Sequence, residues 1–175
     1  MEDPMPEWKE ANENLLKWRS RAQAKGYSFP IDIYGVFDPE SIQGRVLDIG
    51  AGGGYANRFK CKYIGIDPFF DGRDVKKIKA EDYQPEYFFD AIFCISVLPH
   101  VDDLNKVLAN CRSWLFANGV ANFVIAYSEP GDAPRPSYVH NYDKNEWEDM
   151  LNKYFHRNFS FVFQRVLFYQ GVRLE

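Results

Sequence analysis

Apolar residues along this chain follow two patterns: short unbroken runs, and stretches in which they recur about every 3.6 residues. The short runs predict strands at residues 46–49, 63–67, 76–78, 89–96 and 120–127. The periodic stretches predict helices at residues 6–24, 103–117 and 143–155, and a short helix is expected at 55–59. Because strands alternate with helices, we expect an α/β fold with a doubly wound, mostly parallel sheet.

Three connections differ from a regular alternation of strands and helices. Residues 27–44 are expected to form a loop, because Pro30 and Pro39 interrupt them. Residues 68–75 are too few for a crossover helix, and Asp71-Gly72 is typical of a turn. Residues 159–173 are strand-like but contain no recognisable turn, so either a terminal strand is missing or the hairpin is unusually tight.

Composition narrows the function classes. The 175 residues fit one domain, and an aromatic content of 17% argues against disorder. A net charge of −4 gives no basic surface for nucleic acid or an anionic membrane, and no apolar run is long enough to span a bilayer. The three cysteines, Cys61, Cys94 and Cys111, form no disulfide or zinc pattern. We therefore expect a cytoplasmic protein.

The glycine-rich segment Asp48-Ile49-Gly50-Ala51-Gly52-Gly53-Gly54 follows the first predicted strand. Glycines without a Cβ let a ligand lie directly against the backbone. Asp67 ends the second strand about 20 residues later, where a carboxylate can bind a ribose diol. A dehydrogenase would have Gly or Ala at the position of Tyr55, so a nicotinamide enzyme is disfavoured. The remaining alternative is a turn that only joins strand to helix.

This D-x-G-x-G-x-G segment, together with Asp67, resembles the cofactor site of class I S-adenosylmethionine-dependent methyltransferases. Similar matches continue through residues 65–68, Ala80-Glu81-Asp82, residues 89–92 and residues 96–101, as in small-molecule methyltransferases. The resemblance implies a Rossmann-like sheet with antiparallel C-terminal strands and S-adenosylmethionine as cofactor. It places the cofactor at nine residues: Asp48, Gly50, Ala51, Gly52, Asp67, Pro68, Ala80, Glu81 and Cys94.

The resemblance also implies roles for these positions. Asp48 organises the loop and faces the ammonium group of the cofactor, and Asp67 binds the ribose. Glu81 contacts the adenine, with Asp82 as the competing candidate. Cys94 contributes its backbone and no nucleophile.

His100 is the candidate catalytic residue, because its turn faces the transferred methyl group in the resembling enzymes. Imidazole titrates near neutral pH and can act as a general base. A base is needed only when the acceptor is a protonated oxygen or nitrogen acid, and a structural role for His100 is the alternative.

The whole chain, 1–175, is expected to be a single methyltransferase domain. Residues 45–127 form the cofactor-binding core, residues 1–44 contribute a lid, and residues 128–175 supply a substrate loop, a helix and the terminal strand. Loop aromatics, including Tyr34, Phe37, Tyr138 and His140, are candidates for the pocket wall. Tyr138 and His140 are the predicted substrate-binding residues.

The expected function is methyl transfer to a small-molecule acceptor, with no nucleic-acid or membrane partner. A non-catalytic cofactor-binding or accessory protein is the main alternative. A protein or nucleic-acid methyltransferase is disfavoured by the acidic charge, and residues 96–100 lack the [DNS]-P-P-[YFW] motif of amino-methylating DNA enzymes. Neither the acceptor atom nor the oligomeric state follows from the sequence.

Overall fold

The structure, a computed structural model, describes residues 33–52, 55–135 and 137–174. These residues form one seven-stranded sheet with the strand order β3-β2-β1-β4-β5-β7-β6. The strands are β1 Arg45–Ile49, β2 Lys62–Asp67, β3 Val75–Lys77, β4 Phe89–Ile95, β5 Leu115–Ala126, β6 His156–Phe163 and β7 Val166–Val172. Two α-helices are described, α1 Leu104–Trp114 and α2 Lys144–Asn152, together with 3₁₀ helices at Gly35–Phe37, Ala56–Arg58 and Leu98–His100.

Strand pairing confirms the predicted fold class. The first five strands pair in parallel, whereas β7 runs antiparallel to both β5 and β6. The chain proceeds outward from β1 to β3 and then returns to place β4 on the other side of β1. Ligands of open α/β sheets bind at such a reversal of strand order, beyond the carboxyl ends of the strands.

The C-terminal strands form an unusually tight hairpin, the second of the two alternatives. Phe163 pairs with Val166, so only Gln164 and Arg165 form the turn. Both turn residues have positive φ, 48° and 61°, as in a two-residue type I′ turn. Such turns favour Asn and Gly, and the absence of either residue hid the turn from sequence patterns.

Three predicted helices are wrong in extent, among them the one expected at 143–155, which ends at Asn152. The expected helix at 55–59 is only the 3₁₀ turn Ala56–Arg58, because Phe59 is in extended conformation and is buried against the sheet. The helix expected to reach residue 117 ends at Trp114, since Leu115 already pairs with Phe89 of β4. Asn118-Gly119 therefore lies in an irregular stretch within β5 instead of ending a helix.

The shortened crossover and the start of the last helix agree with the predictions. No helix interrupts residues 68–74, as expected for a shortened crossover. Helix α2 begins after Asp143, whose side chain accepts the Glu146 N–H while Glu146 caps the Asp143 N–H. The helix expected at 6–24, and with it most of the expected lid, lies outside the described residues.

The core lies on both faces of the sheet. Helices α1 and α2 cover one face with apolar residues such as Leu108 and Trp147. The opposite face is covered, among the described residues, by an aromatic cluster that includes Tyr34, Phe37 and Phe59. Tyr34 and Phe37 are therefore core residues, and the expectation that they line a substrate pocket is wrong. Neither described helix is long and apolar enough to cross a bilayer.

Candidate cofactor and acceptor site

The glycine loop is hydrogen-bonded to the end of β2. The backbone N–H groups of Gly50 and Ala51 both donate to the Ile66 carbonyl, at 2.8 and 3.1 Å. The next N–H, of Gly52, donates to Oδ2 of Asp67 at 3.0 Å. The loop is thus fixed between the carboxyl ends of β1 and β2, where the sequence placed it.

Gly50 and Gly52 are required for different reasons. Both have positive φ, 71° and 54°, which disfavours other residues. A Cβ on Gly50 would lie 2.1 Å from a methyl group of Val97, so this glycine allows the loop to pack against the segment after β4. A Cβ on Gly52 would meet no described atom within 4 Å. As far as the described residues go, the space beside Gly52 is therefore open to a ligand that approaches the backbone.

Asp67 is buried and organises its own turn. Its Oδ1 accepts the N–H groups of Phe69 and Phe70, at 2.8 and 3.0 Å, and its Oδ2 accepts that of Gly52. This is an Asx turn combined with a link to the glycine loop. Among the described residues, Oδ2 accepts one hydrogen bond and retains capacity for another, so the geometry fits ribose binding by this oxygen.

Asp48 is the most deeply buried carboxylate of the site, with 1% of its surface exposed. Its Oδ2 accepts hydrogen bonds from the hydroxyl groups of Tyr34, at 3.0 Å, and Tyr63, at 2.8 Å. Its Oδ1 has no hydrogen-bond partner among the described residues. Burial raises the pKa of this carboxyl to about 7, against the lowering effect of the two tyrosines. The site thus contains a buried acceptor that suits a cationic donor.

Glu81 fixes the segment that follows His100. Its Oε1 accepts the backbone N–H groups of Asp102 and Asp103, at 2.9 and 3.4 Å, just before α1. Lys79 forms an ion pair with Asp102 in the same place, at 2.9 Å. Ala80 is buried, and its carbonyl accepts a hydrogen bond from Asn110. Glu81 therefore has a structural role, and its predicted adenine contact stays a prediction, as does the competing contact by Asp82.

Cys94 and Pro68 flank the same edge of the sheet. Cys94 is completely buried at the end of β4, and burial raises the pKa of its thiol well above the ordinary value, which disfavours a thiolate. Pro68 is half-buried and leads into Phe69 and Phe70, whose exposed fractions are 39% and 40%. These two rings form an apolar surface beyond β2 that sequence patterns did not single out.

His100 ends the 3₁₀ helix after β4. Its Nδ1 lies 2.7 Å from the Ser137 carbonyl oxygen, which can only accept, so Nδ1 carries the proton. In the neutral ring Nε2 is then the basic nitrogen. Burial lowers the pKa of His100, although the Ser137 hydrogen bond opposes this effect. The neutral form that a general base requires is therefore favoured at neutral pH.

The loop containing Tyr138 and His140 lies against the His100 segment. The backbone N–H groups of Val139 and His140 donate to the Pro99 carbonyl, and His140 Nε2 lies 2.9 Å from the Val101 carbonyl. The Tyr138 ring packs edge-on against His100, with centroids 4.8 Å apart. The structure thus brings the three predicted catalytic and substrate residues together, with His140 in a loop-anchoring contact.

Sequence analysis missed two residues that shape the site, Tyr63 and Val97, and assigned Tyr34 to a substrate pocket instead of to Asp48. Tyr63 could have been found from strand register, since it pairs with Val46, two residues before Asp48 and on the same face of the sheet. The contact of Tyr34 with Asp48 joins a loop to a strand and has no signal in local sequence.

Known proteins resemble this chain in sequence and in structure. A family model described as a methyltransferase domain matches residues 8–164. Two curated relatives are both named ubiquinone biosynthesis O-methyltransferase. The one from Rhodopseudomonas palustris is 27% identical, with 65% of this chain and 57% of that protein covered. The one from Histophilus somni is 28% identical, with 62% and 63% covered. The chain thus spans less than two thirds of the length of either relative.

Solved structures share the fold. A Thermotoga maritima protein described as an S-adenosylmethionine-dependent methyltransferase, possible histamine N-methyltransferase, has a TM-score of 0.72 and 16% identity, covering 95% of this chain and 99% of that one. A Burkholderia thailandensis 1,6-didemethyltoxoflavin N1-methyltransferase, solved with its substrate and S-adenosylhomocysteine, has a TM-score of 0.65 and 16% identity, covering 100% and 94%. With the family match over residues 8–164, the fold and the loop geometry place this chain in the class I S-adenosylmethionine-dependent methyltransferase family.

Proposed function

We propose that this chain transfers a methyl group from S-adenosylmethionine to a small-molecule acceptor. The observation that carries the proposal is the glycine loop, fixed to the end of β2 at the reversal of strand order, with open space beside Gly52. The Burkholderia thailandensis structure supports it, because that protein was solved with a small-molecule substrate and S-adenosylhomocysteine.

The residues present fit this cofactor. The Gly52 backbone would lie against its methionine part, and Oδ1 of Asp48, which has no partner among the described residues, would be available for the ammonium group. Asp67 Oδ2 would accept from the ribose, while Pro68, the Ala80–Glu81 turn and the Cys94 backbone would border the nucleoside. When bound, the cofactor supplies an electrophilic methyl group on a sulfonium with an activated leaving group. The chain mainly has to align the acceptor and exclude water.

We further propose that the acceptor atom is a hydroxyl oxygen. The two curated relatives are named O-methyltransferases, and His100 is held as the tautomer that can accept a proton at Nε2. The Tyr138 ring beside His100 and the guanidinium of Arg135, which donates to the Tyr138 hydroxyl at 3.0 Å, would border the acceptor. An amine acceptor is the second candidate, favoured by the N-methyltransferases among the structural relatives.

We propose that the enzyme works in the cytoplasm without a nucleic-acid or membrane partner. Its net charge is −4, which gives little attraction to polyanions. Its three cysteines are free thiols in the structure, as expected in a reducing compartment.

Cofactor binding is tested first, by titration calorimetry and thermal unfolding with S-adenosylhomocysteine. Saturation at about 100 times the dissociation constant should raise the free energy of unfolding by roughly 2.7 kcal/mol. Gly52→Val should abolish binding, because its side chain fills the open space. Gly131→Val is the matched control, since Gly131 also has positive φ, 92°, and no described atom near its Cβ position. Binding of NADH but not S-adenosylhomocysteine, or equal loss in both variants, would contradict the proposal.

Turnover is tested next, with methyl-labelled S-adenosylmethionine over panels of small hydroxyl and amine compounds and a metabolite extract. Labelled products in the hydroxyl panel are expected. Label confined to the amine panel would reject the proposal of an oxygen acceptor but leave small-molecule methyl transfer standing. Label confined to nucleic acid or protein would reject the small-molecule proposal, and tight cofactor binding with no acceptor in any panel would favour a non-catalytic protein.

A further inference from the structure

Asp48 sits in a setting unusual for a carboxylate. Its strand neighbours are Gly65 in β2 and Phe93 in β4, so no polar side chain flanks it within the sheet. No ion pair among the described residues includes it. Two tyrosine hydroxyl groups donate to the same oxygen, Oδ2, and the buried Oδ1 has no partner among the described residues.

We propose that Tyr34 and Tyr63 are positioning residues for the cofactor: they hold Asp48 by one oxygen, direct the other to the ammonium group of its methionine part, and make binding depend on the protonation of Asp48. This inference rests on the proposed function.

Both hydroxyl groups are held in their donor roles. The Tyr63 oxygen accepts the backbone N–H of Tyr55 at 3.1 Å, which leaves its own hydrogen to point at Asp48. The Tyr34 ring is fixed between two others, stacked on Phe93 at 5.6 Å and tilted against Tyr55 at 4.9 Å. With Oδ2 thus occupied, Oδ1 is the oxygen left to accept a further donor.

Several titratable groups face Asp48. They are the phenols of Tyr34 and Tyr63, the carboxylate of Asp67 and the thiol of Cys94, and the phenol of Tyr55 lies beside the two tyrosines. Burial raises the pKa of Tyr34, Tyr63 and Cys94, so these three stay neutral near pH 7. Asp67 raises the pKa of Asp48 further, whereas the two tyrosine hydrogen bonds lower it. No cation appears among these groups.

The consequence is a proton linked to cofactor binding. An ammonium group pairs with the charged form of Asp48, so the affinity for it should increase as the pH rises through about 7. Below that midpoint, affinity should change about tenfold per pH unit. Loss of a tyrosine hydroxyl removes a hydrogen bond that favours the charged form, so the midpoint should move to higher pH.

The test is calorimetric affinity over about pH 5 to about pH 7.5, a range in which α-amino groups stay largely protonated. Two probes are compared: S-adenosylhomocysteine, and methylthioadenosine, which lacks the amino-acid part. We expect S-adenosylhomocysteine to bind more tightly with rising pH and methylthioadenosine to be unaffected. Tyr34→Phe and Tyr63→Phe should each weaken S-adenosylhomocysteine binding about tenfold at about pH 6, the effect of about one pKa unit below the midpoint, with methylthioadenosine binding unchanged.

Two control variants test whether the effect comes from the tyrosine hydrogen bonds to Asp48. Tyr169→Phe removes the hydroxyl of another buried tyrosine, on β7, which donates to Asn152 at 2.9 Å. This variant should leave the pH midpoint of S-adenosylhomocysteine binding unchanged. Asp48→Asn should bind S-adenosylhomocysteine weakly and without pH dependence. If a tyrosine variant does not fold, carbon-13 NMR titration of Asp48 in the unmodified protein replaces it, and cofactor should shift that titration to lower pH.

Each outcome has a distinct meaning. Equal pH dependence for both probes, or pH dependence that survives in Asp48→Asn, would overturn the inference. An NMR titration of Asp48 unmoved by cofactor would do the same. In these cases S-adenosylhomocysteine still binds, so the proposed function stands. Failure of both probes to bind at any pH would instead reject the proposed function.

Discussion

Burial of Asp48 links the stability of the ligand-free chain to pH. The pKa of this carboxyl rises from 3.8 to about 7 on folding, chiefly through desolvation. Folding is therefore not penalised below the unfolded value, and the penalty grows as pH rises until it is complete above about 7. At about 1.4 kcal/mol per pKa unit, it increases by about 2 to 3 kcal/mol between about pH 5 and about pH 8.

Asp48→Asn should remove this dependence. We expect the stability of the variant, relative to the unmodified chain, to increase by about 2 to 3 kcal/mol over the same pH range. Urea unfolding at several pH values, without ligand, measures it. A constant offset between the two proteins would show that Asp48 does not titrate there.

His100 should affect the rate more than binding, once an acceptor is known. Loss of a positioned base typically slows turnover about 10²- to 10⁴-fold, so His100→Ala should lower kcat while the affinity for S-adenosylhomocysteine stays. The pKa of His100 is lowered by burial, and the acid limb of the pH–rate profile should lie below its ordinary value and vanish in the variant.

His140→Ala is the matched control for His100. It removes a histidine contact that anchors the same loop, here to the Val101 carbonyl. It should reduce stability but keep the acid limb of the profile. Equal kinetic losses in both variants would indicate that His100 only anchors the loop.

At the scale of elements, the local sequence pattern predicted the bounds of a strand or helix correctly where the element's own residues determine its ends. Strands β1 and β4 were placed within one residue at each end, because apolar runs in a parallel sheet are bounded by polar residues. Local pattern failed at residue 115, since the pairing of Leu115 with Phe89 ends α1. It failed at residues 55–59 because aromatic packing across the sheet replaces a helix there.

The candidate site divides in the same way. The glycine loop and Asp67 lie at adjacent strand ends, as the order of the motifs predicted. The double hydrogen bonding of Asp48 was not predictable, because it joins residues from three separate segments. Glu81 was predicted to contact the ligand, but in the structure it accepts the backbone N–H of Asp102 just before α1. The sequence pattern did not indicate this structural role.

Helix α2 gives a prediction at this scale. Asp143→Ala should destabilise the protein by about 1 kcal/mol, because it exposes N–H groups that the capping box satisfies. Asp149→Ala, at an exposed position within the same helix, should change stability by less than about 0.5 kcal/mol. Urea unfolding compares the two, and equal effects would mean that charge rather than capping matters.

For the whole molecule, the two ends of the parallel strands differ in how they are closed. The amino edge is here the side at which the strands begin, and the carboxyl edge is the side at which they end. At the amino edge, Asp90 accepts the N–H of Arg45 at 2.8 Å, and a Cβ on Gly44 would collide with the Asp90 carboxylate. The Lys62 N–H donates to the Gly44 carbonyl, which closes the same corner. At the carboxyl edge, the glycine loop, the Asp67 turn and the His100 segment leave space beside Gly52. Among the described residues, the strand ends that carry the candidate chemistry are thus the ones that remain open.

Hydrogen exchange should show this asymmetry when S-adenosylhomocysteine is added. Backbone amides of residues 50–52, 69–70, 98 and 100–101 that exchange by local opening should slow, because opening there would expel the ligand. Locally exchanging amides of residues 44–45 and 62 should keep their rates, since the proposed site lies at the opposite ends of the strands. Amides that exchange only through global unfolding slow everywhere and serve as the internal reference. Protection confined to the amino edge would place the ligand at the strand ends opposite the glycine loop. That result would reject the proposed site.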